Sequence, residues 1–251
     1  MKHINFLSFG KDSIAQTILI KQKGYPLDET VFVDIKFDAN TSGEHPKMAD
    51  WIPTAEDILR REFGIKVKHL VAKTTFKDYF YKQKAKGNYI GDIYGFPYTI
   101  AAWCNSRLKL DVISQYINSL KDDVTEYVGI AADEPMRYER LITKNTNKIT
   151  YCSQLFDLGI TEKQAFEICR PYNLISPKYD GGSFRSGCWF CVKQCLADLY
   201  ELWRDYPERF NLLLDMEKDS QCTFNRNYSL PELQARFKGG FVPVRRSKNG
   251  K

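Results

Sequence analysis

Apolar positions along this 251-residue chain change rhythm several times. The run His3–Ser8 is apolar enough for a buried strand and enters a turn at Gly10. Residues 12–23 then carry Ile14, Ala15, Thr17, Ile18 and Leu19 at helical spacing, and Gly24-Tyr25-Pro26 stops that helix. Thr30–Ile35 predicts a second strand. Pro46–Phe63 predicts a helix interrupted at Pro53 and ended by Gly64, and Lys66–Ala72 a third strand with Val67 and Leu70 facing inward. Residues 76–97 read as a helix followed by a long mobile loop, Lys86–Pro97. Tyr98–Cys104 and Asp111–Leu120 read as helices, and Glu126–Ala131 as a fourth strand running to Asp133-Glu134-Pro135. Past residue 150 the strand rhythm fades. Thr161–Arg170, Gln194–Tyr206 and Pro207–Lys218 carry helical spacing, with Tyr200, Trp203, Phe210 and Leu213 as core positions.

Strands alternating with helices imply parallel βαβ units covered by helices on both faces. The expected organisation is an α/β domain over residues 1–150 and a helical extension over 151–251. The extension carries a cysteine-rich segment and a basic tail, Arg245–Lys251. Ligands of such sheets sit beyond the carboxyl ends of the strands, where Ser8–Ser13, Asp34–Glu44 and Asp133–Arg137 fall.

Charge and composition narrow the picture modestly. Thirty-seven Lys and Arg against 31 Asp and Glu leave +6, which suits a polyanionic partner without requiring one. No apolar run approaches the roughly 18 residues of a membrane span. Met1–Leu7 lacks a small-residue cleavage site and reads as a first strand, not a signal peptide, so a cytoplasmic protein is expected. In that reducing compartment seven cysteines point to packing, a metal or a cluster rather than disulfides. The three histidines, His3, His45 and His69, form no hydrolytic triad and no His-x-x-x-His pair.

Ser8-Phe9-Gly10-Lys11-Asp12-Ser13 joins a strand to a helix start. Backbone N–H groups at such a turn, with the helix macrodipole, favour an anion. Gly10 allows close backbone approach, Ser8 and Ser13 offer hydroxyl donors, Lys11 a point charge, and Asp12 a helix cap. The string is neither Gly-x-x-x-x-Gly-Lys-Ser/Thr nor Gly-x-Gly-x-x-Gly.

Farther on, Cys188-Trp189-Phe190-Cys191-Val192-Lys193-Gln194-Cys195 places three thiols at offsets that let them converge on one metal. Zinc and an iron–sulfur cluster both suit thiolates, and the spacing does not choose between them. Trp189 and Phe190 would shield such a site from water. With Tyr179 and Phe184, near Arg185 and Lys193, they could alternatively stack a base. Cys152, Cys169 and Cys222 show no ligand spacing and are assigned to packing.

The string Ser-Phe-Gly-Lys-Asp-Ser resembles the loop of N-type (PP-loop) ATP pyrophosphatases, and within them the phosphoadenosine-phosphosulfate reductase group. Phe9 stands where Gly is commoner. Three further segments resemble that group: Thr41-Ser42-Gly43-Glu44-His45-Pro46, Trp103-Cys104-Asn105-Ser106-Arg107-Leu108-Lys109, and Gly129-Ile130-Ala131-Ala132-Asp133-Glu134-Pro135-Met136-Arg137. The resemblance covers residues 3–140. It implies a five-stranded parallel sheet of the adenine-nucleotide α-hydrolase type, with ATP and Mg²⁺ as ligands. It also implies attack of an acceptor oxygen on the ATP α-phosphate, followed by displacement of AMP by sulfur. Ser8–Ser13, Asp34 and Arg137 would bind the nucleotide, and Lys11, Asp12, Asp133 and Glu134 would act in catalysis. The resemblance makes a 4Fe–4S cluster the favoured cofactor over Zn²⁺, with Cys104 joining Cys188, Cys191 and Cys195. Cys104 is single where the related reductases carry a tandem pair, so Cys195 could supply the missing thiolate, or three cysteines could leave one iron open.

Three functions compete. The first is ATP-dependent thiolation of a nucleic acid, tRNA or DNA, with a cysteine desulfurase or other sulfur donor and a homodimer as expected partners. The second is a sulfonucleotide reductase. No cysteine follows Cys222, so the Glu-Cys-Gly-type segment of those enzymes has no counterpart, which counts against it. The third is a non-catalytic nucleotide-binding subunit of a nucleic-acid modification or defence complex. An intact Lys11-Asp12 pair argues against that.

Overall fold

The computed structural model of the chain describes residues 1–87, 89–100, 102–180, 182–183 and 186–245. Phe184, Arg185 and the tail beyond Arg245 lie outside the described residues. Along the first half run β1 (Lys2–Leu7), α1 (Lys11–Gln22), β2 (Glu29–Asp34), α2 (Pro46–Phe63), β3 (Val67–Val71), α3 (Phe76–Tyr81) and α4 (Trp103–Asn105). A π-helical turn, Ser106–Leu110, precedes α5 (Asp111–Ser119), β4 (Val124–Tyr127), α6 (Pro135–Ile142) and β5 (Ile149–Cys152). Then come α7 (Gln154–Asp157), α8 (Glu162–Cys169), α9 (Leu196–Asp205), α10 (Pro207–Asp219) and α11 (Leu230–Lys238).

The chain divides into two units. One holds residues 1–34, 46–71 and 112–181, and the other 35–45, 72–111 and 182–251. They divide the chain at other places than residue 150, because the segments after β2 and β3 leave the sheet unit and α7 and α8 stay with it.

The sheet unit is an α/β fold on five parallel strands in the order β3-β2-β1-β4-β5. Side-chain alternation sorts the strand residues into two cores. Leu7 and Phe32 pack with Ile14 and Ile18 of α1, Met48 and Leu59 of α2, and Leu155 and Ala165 on one side. Ile4, Val31 and Val33 pack with Ile113 and Ile117 of α5 on the other. Strand order reverses between β1 and β4, the switch point at which such sheets open a ligand crevice.

Helix α1 is buried almost all round, and its polar residues are satisfied internally. Asn5 Nδ2 donates to Thr17 Oγ1 (2.7 Å), whose hydroxyl donates to the Ser13 carbonyl (2.7 Å). Gln16 Nε2 donates to Asn5 Oδ1 (3.3 Å), and Gln16 Oε1 accepts from the Ser153 hydroxyl (3.2 Å) and the Gln154 N–H (3.1 Å). This network ties α1 to β1 and to the end of β5 without leaving a polar group stranded.

Several elements differ from the sequence pattern. Helix α2 runs through Pro53, since burial of Met48, Ile52, Ala55 and Leu59 along one stripe outweighs the one lost backbone bond. Strand β4 occupies residues 124–127, because beyond it Gly129 turns aside to pack against α1. Strand β5 has only four residues at a sheet edge, too short for an alternation signal. Tyr98–Ile100 are exposed and the helix starts only at Trp103. The stretch 86–97 is pinned rather than a simple loop: Gln83 bridges Ile93, and the Lys84 N–H donates to the Asp92 carbonyl at 2.8 Å.

The second unit has its own core, in which Phe37, Phe76, Trp189 and Phe190 meet Leu199, Leu202, Phe210 and Leu213. Trp189 lies 4.5 Å from Phe37 and Phe190 4.0 Å from Phe76, between ring centroids. Among the described residues no helix is long and apolar enough to cross a membrane.

Candidate functional site

The turn after β1 is shaped from within. Phe9, not Gly10, takes the left-handed backbone (φ 54°), a conformation costly for a side chain with a Cβ. Burial of its ring offsets that cost. Phe9 is wholly buried, edge-on to Phe32 (5.0 Å) and Trp51 (6.5 Å). Gly10 instead is the extended N-cap of α1, and no side chain caps that helix. The first turn of α1 therefore presents its backbone without the carboxylate cap expected from Asp12, a ready anion site at the switch point.

Ser13 holds the loop together. Its hydroxyl donates to the Gly10 carbonyl (2.9 Å) and accepts the Ser8 N–H (3.1 Å), which leaves the Ser8 hydroxyl to donate to it at 3.1 Å. Gly129 closes in from the end of β4. A Cβ there would stand 2.8 Å from the Ser13 backbone and 2.9 Å from the Asp12 carbonyl carbon, so no other residue fits without displacing the loop.

Lys11 is 6% exposed and bound on all sides. Its Nζ meets both Asp12 oxygens (2.9 and 2.8 Å) and Glu162 Oε2 (3.5 Å), and stands 5.6 Å above the Phe166 ring. Its N–H donates to the Tyr179 hydroxyl (3.3 Å), and the Cys169 thiol donates to its carbonyl (3.4 Å). Burial works against the ammonium, yet the carboxylates of Asp12 and Glu162 outweigh it and hold Lys11 above its usual pKa. Asp12 is pushed up, first by burial and then by the nearby charges of Glu162 and Glu134, which Lys11 only partly counters. Glu162 and Phe166 are the residues around Lys11 that sequence reasoning missed, while Tyr179, expected beside a base, accepts the Lys11 N–H instead. Thr161-x-x-Gln164 forms a capping box that marks the start of α8, but nothing in that spacing says the helix points at Lys11.

The other nucleotide candidates are placed less centrally. Asp133 accepts the Glu162 N–H (3.0 Å) at the start of α8. Glu134 is the N-cap residue of α6 and takes Arg137 Nη1 at 2.7 Å, an exposed i,i+3 pair. Asp34 ends β2. Asp38, in the second unit, accepts the Asn40 N–H as a turn acid (3.0 Å).

In the second unit the Glu44 backbone bridges Cys188, the Trp189 N–H donates to the Gly43 carbonyl (3.1 Å), and the Cys191 N–H donates to the Cys188 carbonyl (3.2 Å). Cys104, Cys188 and Cys191 lie within electrostatic reach of one another. Burial, then the Cys191 charge, lifts the Cys104 thiol to about 11. Burial, then Glu44, Cys191 and Cys104, lifts Cys188 well above its usual value. Cys104 is separated by Asn105 alone from the π-helical turn Ser106–Leu110, a local irregularity common at functional sites. Cys195 goes elsewhere: it is exposed, it caps α9, and its thiol donates to Asp198 Oδ2 at 3.2 Å. Among the described residues no group of three or more His, Cys, Asp or Glu is arranged to hold a metal ion. Thiols are the donors that soft metals and iron–sulfur clusters prefer, and Cys104 and Cys188 pack beside Trp103, Trp189 and Phe190. Cys152, Cys169 and Cys222 sit in packing positions, the last donating to the Phe96 carbonyl (3.5 Å).

Fold and site together define an α/β protein with an anion-receptive strand–helix turn and a separate group of three thiols. No family model matches the chain. Among curated proteins, the uncharacterized nin region protein ORF290 of Escherichia phage lambda is 32% identical over 103 residues, 40% of this chain and 32% of that protein. The chain thus matches about a third of that relative's length. Among solved structures, the U34-tRNA thiolase NcsA from Methanococcus maripaludis with its 4Fe–4S cluster aligns at a TM-score of 0.45 and 17% identity, over 87% of this chain and 72% of that chain. At that level the likeness carries no weight for function.

Proposed function

We propose that the chain is a PP-loop ATP pyrophosphatase that adenylates a nucleic acid, a tRNA base or a DNA phosphate, for replacement of oxygen by sulfur. The observation that carries this reading is the Ser8–Ser13 turn, an uncapped helix start at the switch point with a buried lysine beside it. The N–H groups of α1 would take the β- and γ-phosphates. The arriving anion would compete with Asp12 and Glu162 for Lys11, so that the ammonium is held in place until pyrophosphate needs it. A divalent cation would bind on the pyrophosphate oxygens, with Asp12, Glu134 and Glu162 as the nearby carboxylates.

An acceptor oxygen forms a bond to the α-phosphorus as the bond to pyrophosphate breaks. A sulfur nucleophile then attacks the acceptor atom, and AMP leaves with the original oxygen. Cys104, Cys188 and Cys191 would hold an iron–sulfur cluster, or alternatively zinc. Such a cluster would supply a soft iron suited to inorganic sulfide; sulfane sulfur from a cysteine desulfurase would serve only once an external thiol has reduced it to that level. The buried Trp189 and Phe190 would partly shield those half-buried thiols from water.

The test is conversion of α-labelled ATP to AMP by anaerobically prepared protein, with tRNA or DNA and a sulfide source. AMP and pyrophosphate in equal amounts, dependent on acceptor, are expected. No AMP with either acceptor would refute the proposal, and AMP release from adenylyl sulfate with thioredoxin would replace it with reduction.

A further inference from the structure

In the second unit residues 82–87 and 89–94 form the two sides of a short hairpin, with Gln83 bridging Ile93. The Lys84 N–H donates to the Asp92 carbonyl (2.8 Å), and the Tyr94 N–H to the Lys82 carbonyl (2.9 Å). Its base is anchored: the Gly95 N–H donates to the Phe80 carbonyl (3.0 Å), and Phe80 and Phe96 are buried against each other at 4.9 Å. At its tip Tyr89 and Ile90 are 64% and 69% exposed, and just beyond it Tyr98 and Ile100 are 75% and 85% exposed. A hairpin hydrogen-bonded at its base, with the segment that follows it, displays four large apolar side chains to solvent and marks a contact surface.

The charge around these side chains says what kind. Residues 82–100 contain Lys82, Lys84 and Lys86 against Asp92 alone. Lys84 Nζ stands 5.4 Å from the Tyr89 ring centroid, and Lys82 Nζ 5.4 Å from that of Tyr79. Lys82 and Lys86 are exposed. Exposed aromatic side chains beside ammonium groups match the bases and phosphates of a strand whose bases are unpaired. A duplex keeps its base faces stacked and offers the rings nothing. An oily membrane-seeking face would be continuous, whereas Gly87, Gly91 and Thr99 interrupt this one.

We propose that the Lys82–Tyr94 hairpin and Tyr98–Ile100 form the docking surface for an unpaired stretch of nucleic acid, with Tyr89 and Tyr98 stacking on bases and the lysines on phosphates. The surface stands on its own geometry, and it gives the thiolation reading a means of holding its acceptor loop or strand.

Fluorescence anisotropy of the full chain, without ATP, with fluorescein-labelled 20-nucleotide oligo-U, oligo-dT and a 20-base-pair duplex tests it. Both single strands should bind more tightly than the duplex, and Tyr89→Ala with Tyr98→Ala should weaken them at least about 25-fold together, about fivefold per lost stack. Tyr89→Phe with Tyr98→Phe should retain binding, because stacking does not need the hydroxyls, and Lys84→Glu with Lys86→Glu should flatten the salt dependence. Unchanged binding by the double alanine variant overturns the proposal. So does tighter binding to the duplex. Loss of self-association, or of binding to phosphatidylserine vesicles, as the sole effect of removing the rings would also overturn it. If single strands bind as described but no AMP forms, the adenylation reading fails and this one stands.

Discussion

Phe9 combines a buried ring with a left-handed backbone, and the two can be separated by substitution. Removing a core phenylalanine to alanine costs about 3–5 kcal/mol. Phe9→Ala should therefore destabilise the sheet unit by that amount, with the unfavourable φ of 54° retained. Phe9→Gly removes one further methyl, about 0.8 kcal/mol of burial. It also frees the unfolded backbone, about 0.5–1 kcal/mol. Against this it relieves the left-handed strain, about 1–2 kcal/mol. The glycine and alanine variants should thus come out nearly equal. Phe32 provides the reference, since it is buried in the same core on ordinary strand backbone. There glycine should be worse than alanine by the full methyl and backbone terms, about 1–2 kcal/mol. Hydrogen exchange across a urea titration, read on peptides from β1 and α1, isolates the stability of this unit. The same glycine-minus-alanine gap at positions 9 and 32 would refute the strain argument.

Other expectations follow from single contacts. Glu126 is buried, and that burial raises its carboxyl from 4.5 to about 7. Between those values the folded chain holds a proton that the unfolded chain releases, so stability falls as pH rises, by roughly 3 kcal/mol in total. Glu126→Gln should match the parent at pH 5 and exceed it at pH 8 in urea unfolding. A parallel pH profile for the two proteins would contradict this. Gly129→Ala should push the Ser13 backbone outward and weaken ATP binding at least tenfold by calorimetry, with a stability loss of about 1–3 kcal/mol. Unaltered affinity would show that the loop does not depend on this close approach. For the thiols, Cys188→Ser should abolish the broad visible absorbance of anaerobically loaded protein while Cys195→Ser preserves it, because Cys195 bonds to Asp198. Equal loss in both variants would put Cys195 among the ligands.

The strand–turn–helix at Ser8–Ser13 was legible because it is local: an apolar run, a glycine and a helical face occupy adjacent stretches of chain. Its interior was not. Gly10 reads as the residue with special backbone freedom, yet Phe9 carries the positive φ because a pocket formed by Phe32 and Trp51 accepts its ring. Asp12 reads as a cap, yet it turns to Lys11 because that ammonium is buried beside it. Glu162 could not be found at all, since its pairing with Lys11 spans about 150 residues. The short edge strand β5 was invisible for lack of alternation, and α11 was passed over although Ser229 and Glu232 form a capping box.

By itself the sequence determined the alternation of strands and helices and the strand–turn–helix at Ser8–Ser13, and it raised the expectation of a metal at the cysteine string. These depend on residue type and on spacing of a few positions, which short-range sterics and hydrogen bonding decide. Tertiary structure alone decided which strand borders which, that Lys11 is locked between Asp12 and Glu162, and that Cys104 comes within electrostatic reach of Cys188 and Cys191 while Cys195 turns to Asp198. Those outcomes depend on burial and on charges brought together from distant parts of the chain, and no local pattern encodes them.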